Sequence, residues 1–166
     1  MTQSLSKVLL HVVFSTKNRE KTIPSHLQVK LHAYLAGICR AKGAEAYRVG
    51  GTEDHVHIAC TLPRTLTQAK LLEETKKGSS IWMKQQEGGP RRFSRQAGYG
   101  IFSLGQSQLP TLIQYIDNQE EHHRLNSICS SKHPARCAGL VWGRPFGAAI
   151  HFATPFETEP SSSTHI

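Results

Sequence analysis

Two histidines separated by one valine, His55-Val56-His57, sit inside the run His55-Val56-His57-Ile58-Ala59-Cys60. Side chains alternate along a strand, so both imidazoles face one side while Val56 and Ile58 face the other. Two neutral imidazoles on neighbouring same-face positions can share one divalent cation. Glu53 and Asp54 stand just before them, and either could orient a ligand histidine from behind. Taken alone, a His-x-His on a strand fits two satisfied surface histidines better than a metal site, so a third ligand is needed.

A later segment, about Ser107 to Arg124, spaces Leu109, Leu112, Ile113 and Ile116 at helical intervals. At about 100° per residue, Tyr115 falls beside that apolar stripe, Gln119 within about 40° of Tyr115, and His122 within about 20° on its other flank. A hydroxyl and a hydrogen-bonding or metal-binding amide are presented together. Without the two histidines this is an amphipathic helix whose tyrosine marks the rim of a core. With them the set describes a reaction. A phenol with an ordinary pKa near 10 is a poor nucleophile at neutral pH, so a nearby cation must stabilise its ionised form or the charge developing on a phosphate. His55, His57 and Gln119 could hold that cation while Tyr115 attacks phosphorus in line. The product is a covalent phosphotyrosine, which conserves bond energy for rejoining. A plain hydrolase would need a positioned water and a base, which these residues do not obviously supply.

The elements that must position these groups are legible in the patterning. Leu5 to Ser15 holds Val8, Leu9, Leu10, Val12, Val13 and Phe14, the composition of a buried first strand. Leu27, Leu31, Leu35 and Ile38 recur at helical spacing from Ser25 to Lys42, and Gly43 follows in the usual C-terminal position. Ala46 to Val49 reads as a second strand and Gly50-Gly51 as a loop into a third, His55 to Leu62. Thr67 to Gln85 is a second helix, weakened at Gly78. Phe93 to Ala97 and Tyr99 to Leu104 are the remaining strand candidates. The order predicts an α+β fold: a ferredoxin-like antiparallel sheet with helices on one face, plus a C-terminal helix carrying Tyr115.

With 166 residues the chain has room for one domain, taken as 1–126, and a low-charge, poorly ordered tail over 127–166, with a short apolar contact at Ala148 to Ala153. Lys and Arg number 20 against 12 Asp and Glu, a formal charge of +8 that favours a polyanionic partner, nucleic acid before membrane surface. No apolar run approaches the roughly 20 residues that span a bilayer, and Met1 to Lys7 lacks the features of an export signal. The expected location is cytoplasmic. The four cysteines form no CxxC pair and are expected reduced; Cys129, His133 and Cys137 are evenly spaced, but Pro134 argues against a helix that would clasp a metal there.

Together these residues resemble the single-tyrosine HUH transposases of the insertion-sequence type, including the REP-associated tyrosine transposases. HUH stands for His, hydrophobic, His, matched by His55-Val56-His57. The likeness extends to Val13-Phe14-Ser15-Thr16-Lys17-Asn18-Arg19, Gly50-Gly51-Thr52-Glu53-Asp54, Gly98-Tyr99-Gly100-Ile101-Phe102-Ser103 and Tyr115-Ile116-Asp117-Asn118-Gln119-Glu120-Glu121-His122-His123-Arg124. The resemblance implies an endonuclease and strand transferase acting on single-stranded DNA, often at a hairpin or palindromic end, with Mg2+ or Mn2+. It implies a 5′-phosphotyrosine link, a free 3′-hydroxyl and a nucleoid-associated homodimer in which the tyrosine serves its own chain or its partner's. Carried over by position, Tyr115 is the nucleophile and His55, His57 and Gln119 are the metal ligands. Two departures stand out. Relatives usually carry an aromatic residue where Arg95 stands, and they continue past His-His-Arg with charged sequence where this chain turns low in charge.

Lys17, Arg19 and Lys21, then Lys70, Lys76, Lys77 and Lys84, then Arg91, Arg92 and Arg95 are candidate phosphate contacts. Arg91 and Arg92 with Phe93 are expected to track unpaired backbone while Phe93 stacks a base. Two other readings are a relative that binds hairpin DNA without cutting it, and a two-histidine phosphodiesterase. The latter calls for a second His-x-Thr or His-x-Ser element, which the chain lacks.

Overall fold

A computed structural model describes residues 5–119. The first strand, β1 (Leu9–Ser15), leads through a single helical turn, Lys17–Arg19, into helix α1 (Ser25–Ala41). Strands β2 (Ala46–Gly51) and β3 (His55–Thr61) form a hairpin, followed by helix α2 (Gln68–Gln85), strand β4 (Gly100–Leu104) and helix α3 (Leu109–Asp117). The four strands pair antiparallel throughout in the order β2-β3-β1-β4, which is the ferredoxin-like arrangement expected from the element order.

Alternation along the two central strands splits their residues between two cores. Leu10, Val12 and Phe14 of β1 and Val56, Ile58 and Cys60 of β3 face α1 and α2, meeting Leu27, Leu31, Leu35, Cys39, Leu71, Leu72 and Met83. Full burial of each large aliphatic side chain contributes about 1.5–3 kcal/mol, so this larger core carries the stability of the fold. The opposite face holds a smaller core, in which Leu9 and Ala59 pack under Leu109, Leu112 and Ile116 of α3. Helices α1 and α2 therefore cover one face, and among the described residues the tyrosine-bearing helix α3 covers the other.

Local chemistry explains the helix ends. Thr67 caps α2, its hydroxyl accepting from the Lys70 amide at 3.2 Å. Gly43, at φ +77°, terminates α1 in the left-handed conformation expected after a helix. The anticipated weakening of α2 at Gly78 takes a different form: the helix runs unbroken, and Gly78 provides clearance for α1, since a Cβ there would lie 2.7 Å from Ile38 Cδ1.

The strand expected over Phe93 to Ala97 is not formed. Only an isolated bridge joins Arg95 to Thr16, flanked by Lys17 N–H donating to Ser94 O at 3.0 Å and Gln96 N–H to Ser15 O at 3.0 Å. Just past this point the chain turns away from the sheet through Asn18 and Arg19, both at positive φ (56° and 55°), and nothing is left for a longer strand to pair with. The third helix, expected from Ser107 to Arg124, is α-helical over Leu109–Asp117 and interrupted at its cap Asn118. His122 and His123, the Cys129, His133 and Cys137 set, the contact at Ala148 to Ala153 and the tail over 127–166 lie outside the described residues. Among the described residues no helix is long and apolar enough to cross a membrane.

Candidate active site

His55 and His57 lie on the α3 side of β3, as the alternation required, with ring centroids 4.9 Å apart and planes at 82°. Cross-strand pairing sets what stands beside them: Ser15 opposite His55, and Val13 and Gly50 on either side of His57. The structure brings the expected residues together, since His55, His57 and Gln119 are 6%, 4% and 3% exposed and Tyr115 packs at the edge of the smaller core.

The turn before β3 fixes one imidazole. Gly51 reaches φ +148°, where a Cβ would collide with the His55 carbonyl oxygen at 2.2 Å, so the tight entry to β3 requires glycine. His55 Nδ1–H donates to Asp54 Oδ1 at 2.6 Å, and the Thr52 hydroxyl donates to the same oxygen at 2.9 Å. Burial opposes ionisation of Asp54. The hydrogen bond and charge of His55, the Thr52 hydroxyl and the Arg19 guanidinium outweigh it, holding the carboxyl well below the usual carboxylate range. Of the two acidic residues anticipated behind the histidines, Asp54 takes that position; Glu53 pairs instead with Lys21 at 3.5 Å.

With its Nδ1 proton committed to Asp54, His55 presents Nε2 to Gln119 Oε1 at 3.3 Å. Gln119 Nε2–H donates to Tyr115 O at 3.2 Å, which turns the amide so that its carbonyl oxygen faces the imidazole. Two arrangements suit this contact: an imidazolium donating to Oε1, or a cation taking both lone pairs. An imidazole nitrogen and an amide oxygen that face each other at this separation would together suit a divalent cation. Among the described residues no three His, Cys, Asp or Glu side chains are grouped to hold a metal ion, and the further oxygen placed beside His55 is that of the Gln119 amide.

The Tyr115 ring stands 5.5 Å from His57 of the same chain, perpendicular to it. It can do so because Gly50, which has no side chain, lets α3 settle onto the hairpin, where Arg48 and Asp117 pair at 3.0 Å. Sequence reasoning missed a third imidazole. His11 on β1 points to the same face, its Nε2 lying 2.9 Å from His57 Nδ1 and its ring centroid 6.3 Å from that of Tyr115. Burial pushes His11 down to about 4, so the ring is neutral at neutral pH. A usable signal was present, because His11 has the parity of Leu9 and Val13 and so opposes the larger core, but the register that sets it against His57 is a tertiary fact.

The basic residues divide. Lys17, Arg91 and Arg92 are exposed, while Arg19 reaches back to Asp54 at 3.4 Å with much of its side chain still exposed. Lys70 pairs with Glu73 and Glu74, and Lys76 donates to Ala97 O at 2.9 Å while lying over the Tyr99 ring. Two expectations are corrected. Phe93 is 1% exposed, so it cannot stack a base beside Arg91 and Arg92. Arg95 is not a surface phosphate contact either, because its guanidinium is sandwiched between Phe14 and Phe93 at 5.0 and 4.7 Å.

Residues 4–119 match the family model of IS200-like transposases. A protein of Deinococcus radiodurans R1 described as a transposase is similar in structure, with a TM-score of 0.55 and 19% identity over 72% of this chain and 98% of that one. A REP-associated tyrosine transposase bound to a REP hairpin is similar with a TM-score of 0.53 and 16% identity over 74% of this chain and 73% of that one. No curated protein matches the sequence significantly. The two structures share the fold at low identity, and the family match spans β1 through the tyrosine helix and includes every site residue described above: this chain belongs to the IS200-like transposases.

Proposed function

We propose that the chain cuts and rejoins single-stranded DNA through Tyr115, at hairpin or palindromic ends, with Mg2+ or Mn2+ held by His55, His57 and Gln119. The observation that carries this reading is the convergence of a phenol, two imidazoles and an amide carbonyl on one sheet face, with Tyr115 5.5 Å from His57. A bound divalent ion supplies charge stabilisation at the scissile phosphate. Asp54 keeps the His55 proton on Nδ1 and so leaves the Nε2 lone pair available to a cation. Tyr115 gives up its proton and attacks phosphorus; the Tyr115 Oη–P bond forms as the P–O3′ bond breaks, and the leaving 3′-oxygen gains a proton. Attack by a 3′-hydroxyl on the resulting 5′-phosphotyrosine reverses the step, so no external energy source is required.

Support for the substrate comes from the formal charge of +8 and from the likeness to a transposase bound to a REP hairpin. Exposed Lys17, Arg19, Arg91 and Arg92 are the proposed backbone contacts. Joining two ends calls for two active sites, which a homodimer supplies. The test is incubation of a labelled hairpin oligonucleotide with protein and Mg2+. A covalent adduct that survives denaturation, is absent with EDTA and is abolished by Tyr115→Phe is the expected result. Tight binding with no adduct at saturating metal would reduce the protein to a hairpin binder.

A further inference from the structure

Where His55 Nδ1 meets Asp54, His57 Nδ1 meets His11 Nε2, at 2.9 Å. One proton serves that contact, and its owner decides what His57 can do. Were His11 the donor, a neutral His57 would carry its own proton on Nε2 and be closed to a cation. With His57 as donor, Nε2 keeps its lone pair and both histidines offer the same nitrogen, each fixed through Nδ1. We propose that His11 is the positioning residue of His57, accepting the His57 Nδ1–H and holding that ring in the Nε2-donor tautomer.

The sheet is built to allow this. Register pairs His11 with Ala59 and His57 with Val13, so the two imidazoles are diagonal neighbours, within reach of rings of this size. Ala59 leaves the space directly opposite His11 open for the ring to lean toward His57. Phe102, paired with His11 on β4, backs the ring at 6.0 Å, and the Tyr115 edge limits it on a third side. The His11 and His57 planes differ by only 21°, which lets an N–H and a ring lone pair meet near one plane. The role extends the proposed metal function of His57, and its test is separable from that function.

In the metal-free protein, 15N-detected NMR of the imidazoles should show His57 protonated on Nδ1 and bare on Nε2. His11→Leu, which removes the acceptor, should shift His57 toward the Nε2–H tautomer and weaken Mn2+ binding about ten- to a hundredfold, the range typical of lost partners behind metal ligands. His11→Gln, which returns an acceptor near the same position, should restore both readings, and it guards against a mere folding defect in the leucine variant. A wild-type His57 protonated on Nε2, or a tautomer unchanged by His11→Leu, overturns the proposal. Expected tautomers in a wild-type protein that does not bind Mn2+ would sustain the role of His11 and count against the metal reading alone.

Discussion

Gly50 lies directly beneath Ile116: a Cβ at position 50 would come within 2.6 Å of Ile116 Cγ2 and 3.1 Å of its carbonyl oxygen. Because α3 is held by the smaller core, it has little to resist a push from below. Gly50→Ala should cost about 1–3 kcal/mol, as overpacking does. It should lower adduct formation about a hundredfold, because a displacement near 1 Å at a reacting group has effects of that size. Thermal melts and the adduct assay check both, and adding Ile116→Ala should recover part of the adduct. Equal yields from Gly50→Ala and the wild type would show that this contact does not seat Tyr115.

The pairing of His55 Nε2 with Gln119 Oε1 predicts cation-dependent stability. If both atoms are ligands, Mn2+ at about a hundred times its Kd should stabilise the wild type by about 2.7 kcal/mol. Gln119→Leu should lose roughly tenfold in affinity, which removes about 1.4 kcal/mol of that gain at the same Mn2+ concentration. Melting curves with Mn2+ and with EDTA measure the difference. An identical rise in Tm for the two proteins would exclude the amide as a ligand.

Tyr115 and His57 meet within a single chain, which predicts that the tyrosine acts in cis. His57→Ala and Tyr115→Phe should each be inactive, and mixing them should stay inactive, because neither variant holds a complete site. Recovery of adduct in the mixture, approaching a quarter to a half of the wild-type yield on the order expected from random pairing of subunits, would instead assign the tyrosine to a partner's histidines.

What could be read from the sequence follows the range of the interactions. Patterning alone located α1, α2, the start of α3 and all four strands of the sheet, and strand alternation put His55 and His57 on one face. The Tyr115 and Gln119 pair was visible because helical spacing puts them one turn apart, and although α3 ends at Asp117 the hydrogen bond from Gln119 Nε2 to Tyr115 O keeps them together. His11 was not, because its relation to His57 depends on strand register, and neither strand encodes that locally. Phe93 misled for a related reason: an aromatic among arginines looks like a base-stacking site until the end of β1 and the loop after α2 are seen to enclose it.

Arg95 predicts an unusual stabilisation. Its two terminal guanidinium nitrogens are buried with no hydrogen-bond partner among the described residues, and only Nε is satisfied, donating to Ser79 Oγ at 3.3 Å. Burial lowers its pKa to about 9, which leaves it charged at neutral pH, so the folded state bears the desolvation cost. Arg95→Trp would keep a flat group between Phe14 and Phe93 and remove that cost. Replacing buried ionic groups by packed apolar ones has raised stability by about 1–4 kcal/mol elsewhere, and a gain within that range is expected here in urea unfolding. A lower urea midpoint for Arg95→Trp would show that the pocket is shaped for the guanidinium.

His32 predicts the acid limb of the stability profile. Its Nε2 is buried without a partner among the described residues, and burial, then the Arg95 charge, push its pKa down to about 4. Below about pH 6.5 the unfolded chain takes up a proton that the folded chain refuses, so stability falls as pH drops from about 6.5 toward 4. The loss assigned to His32 should be on the order of 2 kcal/mol. His11, also held near 4, adds to the same slope, so the comparison must be with His32→Leu, which should lose correspondingly less between pH 7 and 4. Arg95→Trp should flatten the profile further by letting the His32 pKa rise. Parallel pH profiles for wild type and His32→Leu would mean that the imidazole finds water, and a proton, inside the folded protein.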